Sequence, residues 1–102
     1  MANNPNQPEN PNKRKLSIKM PETILPGVYA NQMLVSHTRE EFVIDLVNLF
    51  PPEGIVNARV IVSPGHLKRM IRALSENLSR YEQAFGPIIE AASPAPPEEL
   101  QN

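Results

Sequence analysis

One helix with well-marked ends constrains this fold more than any other sequence feature. Ser63 is a residue type that caps helix N-termini, and Pro64 suits the first helical position because its missing N–H would have no partner there. Gly86 suits a C-terminal cap, and Pro87 prevents the helix from continuing. The sequence therefore predicts a single helix over Pro64–Phe85, about 22 residues and about 33 Å long.

The apolar residues of this helix recur at intervals of four and three, which places them on one side. This side, the helix stripe, is typical of a helix that covers a sheet or of a short coiled coil. We expect it to pack along the sheet of its own chain, since a strand of about eight to ten residues spans a similar length. The helix stripe consists of Leu67, Met70, Ile71, Leu74, Leu78, Tyr81 and Phe85.

Four segments that precede the helix have the polarity patterns of strands. Leu16–Met20 alternates as a half-buried edge strand does, and Val28–His37 has apolar residues on both faces. Glu41–Phe50 is rich in Val, Ile and Phe, which favours a strand over the rival helical interpretation. Ile55–Val62 is the fourth strand, and its alternation predicts one shared face for Val56, Ala58, Val60 and Val62.

Turns separate the last three of these strands. Thr38–Glu40 suits a hairpin turn, and Pro51–Gly54 suits a second turn in which Gly54 is expected to take a positive φ. The predicted fold class is therefore α+β, with about four antiparallel strands in a β-meander followed by one long C-terminal helix packed on the sheet.

The domain organisation follows from where apolar periodicity stops. Of the 102 residues, 15–87 are predicted to form a single α+β domain. Residues 1–14 and the Pro-rich residues 88–102 show no such periodicity and are predicted to be disordered tails.

Composition limits the chemistry and the compartment. The chain has no Cys, so disulfides and thiolate catalysis are excluded. The first residues contain no apolar run of the signal-peptide kind, and no segment approaches the length of a membrane span. A cytoplasmic location without membrane attachment is the resulting expectation.

The strand pattern also bears on assembly. One helix covers one face of a sheet, yet the second and third predicted strands have apolar residues on both faces. A core of about 70 residues with neither disulfide nor metal is marginal alone. We therefore expect a homodimer or higher oligomer that also binds a protein partner through a sheet face, an edge strand or its tails.

Two stretches resemble a known family. They are GVYANQMLVSHTREEFVIDL and ARVIVSPGHLKRMIRALSENLSRYEQAFG, which together span about Gly27 to Gly86. They resemble the small bacterial proteins of domain-of-unknown-function family 3467. The resemblance implies a small bacterial cytoplasmic protein of strands followed by a helix, and it implies no activity, ligand or catalytic residue. In architecture alone, the plan is also similar to SecB-type export chaperones, which gives a chaperone or adaptor role as an alternative.

The candidate binding residues are all basic. His66, Lys68, Arg69 and Arg72 lie at the start of the predicted helix, where an anion could bind, although a solvated helix face is the favoured explanation. Lys13, Arg14 and Lys15 form a short basic arm. Together these two groups support an alternative function, weak association with nucleic acid.

Catalysis and metal binding are not expected. His37 lies near Glu40, Glu41 and Asp45, but strand alternation sends neighbouring side chains to opposite faces. There is no Gly-rich phosphate loop, and no serine lies in a nucleophile elbow. We therefore predict no catalytic residue, no metal ligand, no cofactor and no enzymatic activity.

Overall fold

The computed structural model describes residues 14–95. It contains strands β1 (Gln32–His37), β2 (Phe42–Phe50) and β3 (Glu53–Val62), followed by helix α1 (Pro64–Phe85). The strands form one antiparallel sheet in the order β1-β2-β3. The α+β class and both ends of the helix are therefore confirmed. Ser63 Oγ accepts a hydrogen bond from the N–H of His66, and the N–H of Gly86 donates to the carbonyl of Glu82, as caps do.

The described residues form three strands rather than four. Leu16–Met20 belongs to no strand, and its apolar side chains are almost fully exposed, 88 % for Leu16 and 95 % for Ile18. β1 begins at Gln32 instead of Val28. Alternation shows that a segment suits a sheet, but a strand forms only where a neighbouring strand supplies hydrogen bonds, and here none lies beside it.

The conformation predicted from the sequence is found in the first turn but not in the second. In the first, the N–H of Thr38 donates to the carbonyl of Glu41, and the N–H of Glu40 donates to Thr38 Oγ1, as expected of a hairpin. In the second, Gly54 lies in β3 and does not have a positive φ. A Cβ at Gly54 would lie 2.8 Å from Leu49 Cδ1, so a larger residue here would displace the end of the Leu49 side chain.

A β-bulge changes which residues of β3 share a face. Leu46 pairs with Ala58, but the next residue, Val47, pairs with Val56, so Asn57 is the additional residue. The predicted common face of Val56 and Ala58 is therefore wrong, because the bulge turns Val56 to the other side. The Asn57 amide donates to the carbonyl of Tyr29 at 2.7 Å.

Asn31 extends the β1–β2 pairing with its side chain. Its Nδ2 donates to the carbonyl of Leu49 at 2.9 Å, and its Oδ1 accepts from the N–H of Leu49 at 2.8 Å. The amide thus substitutes for a backbone pair at the end of the ladder. Both polar atoms of the Asn31 side chain are therefore hydrogen-bonded inside the protein.

We expect Asn31→Ala to lower the free energy of unfolding by about 1–3 kcal/mol, because it leaves both backbone groups of Leu49 without partners in a partly buried place. Urea unfolding at a fixed protein concentration measures this. Gln32→Ala is the control, because both hydrogen bonds of the Gln32 amide are exposed: Nε2 donates to the carbonyl of Met33 at 3.4 Å, and Oε1 accepts from Ser93 Oγ at 3.2 Å. Equal stability of the two variants would contradict the assigned role.

Helix α1 does not pack on the sheet of its own chain. Among the described residues, the buried apolar side chains are Ile44, Val47 and Ala95, and α1 has no buried residue. Leu67 and Met70 in the first two turns are half-buried. The prediction that the helix packs along its own sheet is therefore wrong. The short connection between β3 and α1 explains why the helix lies away from its own sheet, because Ser63 is the single residue between these two elements.

The two predicted tails fall mainly outside the described residues, since 1–13 and 96–102 are not among them. The part of the C-terminal tail that is described, 88–95, contacts the sheet. Ser93 Oγ donates to Gln32 Oε1 at 3.2 Å, and Ala95 is buried. This contact lies on the face of the sheet that carries Val47, because Gln32 and Val47 are register partners.

Candidate functional site

The helix stripe is the largest continuous apolar surface on α1. At about 100° per residue, its seven side chains fall within an arc of about 100°. The opposite side of the helix carries Arg69, Arg72, Glu76, Arg80 and Gln83. From the third turn onward the stripe residues are between 50 % and 76 % exposed, which is unusual for large apolar side chains that share one face.

One face of the sheet, face A, is apolar in its central rows, which cross all three strands. In the antiparallel register, residues opposite each other lie on the same face, so Ile44 at the centre is flanked by Val35 and Val60. Ile44 is buried, but the flanking residues are exposed. The apolar residues of face A are Met33, Val35, Phe42, Ile44, Leu46, Phe50, Ile55, Ala58, Val60 and Val62, and the register also places His37, Asn48 and Glu53 towards the ends of this face.

The other face, face B, is interrupted by charge. Asp45 and Arg59 are register partners at its centre, and the guanidinium donates two hydrogen bonds, of 2.7 and 3.0 Å, to the carboxylate. These bonds hold the pKa of Asp45 below its ordinary value and raise the pKa of Arg59. Around this ion pair, face B consists of Leu34, Val43, Val47, Leu49, Val56 and Ile61.

Within residues 14–95, both edges of the sheet are open, because β1 and β3 each pair with β2 alone. Leu16–Met20 lies outside the sheet, with its three apolar side chains exposed. An open edge and an exposed alternating segment are the two components of recognition by strand addition.

The basic candidates are exposed where the structure describes them. Lys13 lies outside the described residues, whereas Arg14 and Lys15 are exposed in an extended segment. The helix group, His66, Lys68, Arg69 and Arg72, is exposed on the first turns of α1. The arrangement leaves the anion-binding interpretation as a prediction, and an electrophoretic shift with nucleic acid at two salt concentrations tests it.

The histidines have structural contacts in the sheet and at the cap. The His37 ring lies 5.2 Å from that of Phe42, and the backbone of His66 bonds to the capping Ser63. Within residues 14–95, no three His, Asp or Glu side chains are grouped so as to hold a metal ion. A shallow groove of about 380 Å³ lies at the other end of α1, lined by Ser75, Leu78, Ser79, Glu82, Gln83 and Pro87.

The sequence predicted both the basic candidates and an apolar sheet face left uncovered by the helix. It did not predict that the helix stripe itself is exposed. The buried Asn48 Oδ1, which has no hydrogen-bond partner within the described residues, had no sequence signal at all.

Together these surfaces define a small α+β protein with an antiparallel sheet, a terminal helix and apolar faces left uncovered. A family-level comparison matches residues 1–90 to the family described as Protein of unknown function (DUF3467), and the chain belongs to this family. No curated protein matches the chain, and no solved structure matches it. None of the helices that the structure describes is long and apolar enough to cross a membrane.

Proposed function

We propose that this protein is a cytoplasmic homo-oligomeric interaction module, a twofold dimer in the simplest case, that binds a protein partner and carries out no catalysis. The observation that supports self-association is α1: a 22-residue helix with a continuous apolar stripe and no buried residue. A surface of this kind is stable in water when a second surface covers it. Twofold assembly is the commonest solution for small soluble chains.

The partner-binding part of the proposal draws on the open sheet edges and on Leu16–Met20. In the part of the chain that the structure describes, β1 and β3 have unpaired backbone groups, and an extended peptide adds to such an edge by backbone hydrogen bonding. The exposed alternating segment could add to the edge of another protein in the same way. Either arrangement gives affinity without a catalytic group.

Self-association is tested by light scattering with size exclusion and by the concentration dependence of thermal unfolding. For an obligate dimer, a tenfold dilution removes about 1.4 kcal/mol of stability per dimer. With an unfolding entropy of about 2.1 cal/mol/K per residue, the melting temperature falls by about 4 °C. A monomeric mass together with a melting temperature independent of concentration would refute the proposal.

Partner binding is tested by capture from extracts of the native host, with the full chain as bait. A double variant, Leu16→Lys with Ile18→Lys, is the matched bait, because both side chains are exposed and make no core contact. We expect a captured protein that binds the wild type again after purification and binds the variant at least about tenfold more weakly. Purified binding that is the same for both baits would exclude the segment.

A further inference from the structure

The joint between β3 and α1 is too short for the helix to fold back. Connections between strands and helices commonly have two to six residues, and this one has Ser63 alone. Ser63 is extended, with φ −71° and ψ 155°, and the proline that follows restricts it to this region. A helix that returned over its own sheet would have to reverse direction within that single residue.

The helix stripe and face A, which this joint keeps apart within one chain, match each other in length and in polarity. The helix is about 33 Å long, and the ten residues of β3 span a similar length. Face A has no charged pair at its centre, whereas face B has Asp45 and Arg59 there and is contacted at one end by residues 93–95. The better match for the helix stripe is therefore face A.

We propose that the helix is exchanged: α1 of each chain lies across face A of a second copy, so that neither sheet is covered unless two chains associate. This inference rests on the self-association proposed above and identifies its contact. A short, restricted hinge is the usual cause of such an exchange, because it prevents in one chain a contact that two chains can make.

The area available is sufficient. An aromatic side chain offers about 150–250 Å² and an aliphatic one somewhat less, so the exposed parts of the helix stripe and of face A amount to about 1,000 Å² in each chain. A specific interface needs about 800 Å² from each partner. Because the exchange is symmetric, each chain contributes one helix and one face, so both helix stripes and both copies of face A are covered.

The first experiment is complementation between two variants of the full chain, measured by native mass spectrometry with a mass tag on one of them. Val60→Glu places a charge on face A, and Leu74→Lys places one on the helix stripe. We expect each variant alone to lose the dimer. When the two variants are mixed, they form a heterodimer in which one helix stripe and one face A are both unchanged and meet each other. In the other contact, the new lysine of the helix pairs with the new glutamate of face A. We expect this heterodimer to bind at least about tenfold more tightly than either homodimer. This gain is measurable even if both variants are poorly folded alone.

One further variant, one further mixture and the mass of the wild-type chain decide what covers face A. Ile61→Glu, the neighbouring position on face B, keeps the wild-type dimer if face A is the contact. If Leu74→Lys is complemented by Leu74→Glu and not by Val60→Glu, the helices pair with each other, and the exchange is wrong while self-association stands. A monomeric wild-type chain overturns both proposals.

A second test lengthens the hinge. Insertion of Gly-Ser-Gly-Gly between Val62 and Ser63 gives the helix enough chain to cover its own face A, with the cap retained. We expect the dissociation constant of the dimer to rise at least about a hundredfold, with helix content by circular dichroism unchanged. An unchanged dissociation constant would overturn the exchange, because helix pairing does not depend on the length of this joint.

Discussion

Replacing Leu74 and Leu78 together by serine is expected to abolish self-association at micromolar concentration. Both side chains lie at the centre of the helix stripe and are at least half exposed in the single chain. Burial of one Leu side chain contributes about 1.5–3 kcal/mol when complete, and a symmetric dimer would bury four of them. Even with half of that contribution realised, the dissociation constant rises by at least a factor of about 100.

The matched control is Arg72→Ser with Glu76→Ser. These residues have the same spacing on the opposite side of α1, and like the leucine pair they leave the net charge unchanged. Light scattering over a range of concentrations should give a dimer for the control and a monomer for the leucine variant. If both variants keep the mass of the wild type, the helix stripe is not the contact.

The helix was predictable because its signals are local. Ser63, Pro64 and Gly86 act through backbone groups within four residues of themselves, and the observed helix begins and ends where they predict. The strand interpretation of β2 also depended on local composition and is confirmed. These elements needed no knowledge of their distant neighbours.

Three of the differences from prediction involve distant contacts. Leu16–Met20 has the pattern of a strand but no neighbour beside it, and the bulge at Asn57 depends on how β3 pairs with β2. The packing of α1 depends on the length of the joint at Ser63. The sequence shows that this joint is short, but its effect on helix packing is seen only when the position of the sheet is known. Alternation and periodicity predict which residues share a face of a strand or helix. They do not predict what that face contacts.

The candidate surface, too, could be predicted only as far as its local pattern goes. Hydrophobic periodicity predicted the helix stripe and the two-faced strands, and from them self-association. It did not show that face B has an ion pair aligned across β2 and β3, because that alignment depends on the register. The choice of face A over face B therefore comes from the structure alone.

The second large effect is expected at Ile44, which is the centre of face A and 7 % exposed. Its register partners are Val35 on β1 and Val60 on β3, so it joins all three strands. Ile44→Ala removes atoms from a filled site and is expected to cost about 2–5 kcal/mol. A small domain has about 5–15 kcal/mol of stability in total, so this variant should melt at least about 8 °C below the wild type.

Ile89→Ala is the control for Ile44→Ala, because the same atoms are removed at a position that is 93 % exposed. We expect it to stay within about 0.5 kcal/mol of the wild type. Both variants are compared by urea unfolding at one fixed protein concentration, since an associating chain gains stability with concentration. If Ile44→Ala were no less stable than Ile89→Ala, the register that places Ile44 between Val35 and Val60 would be wrong. Face A, and the exchange of helices built on it, would then lose its basis.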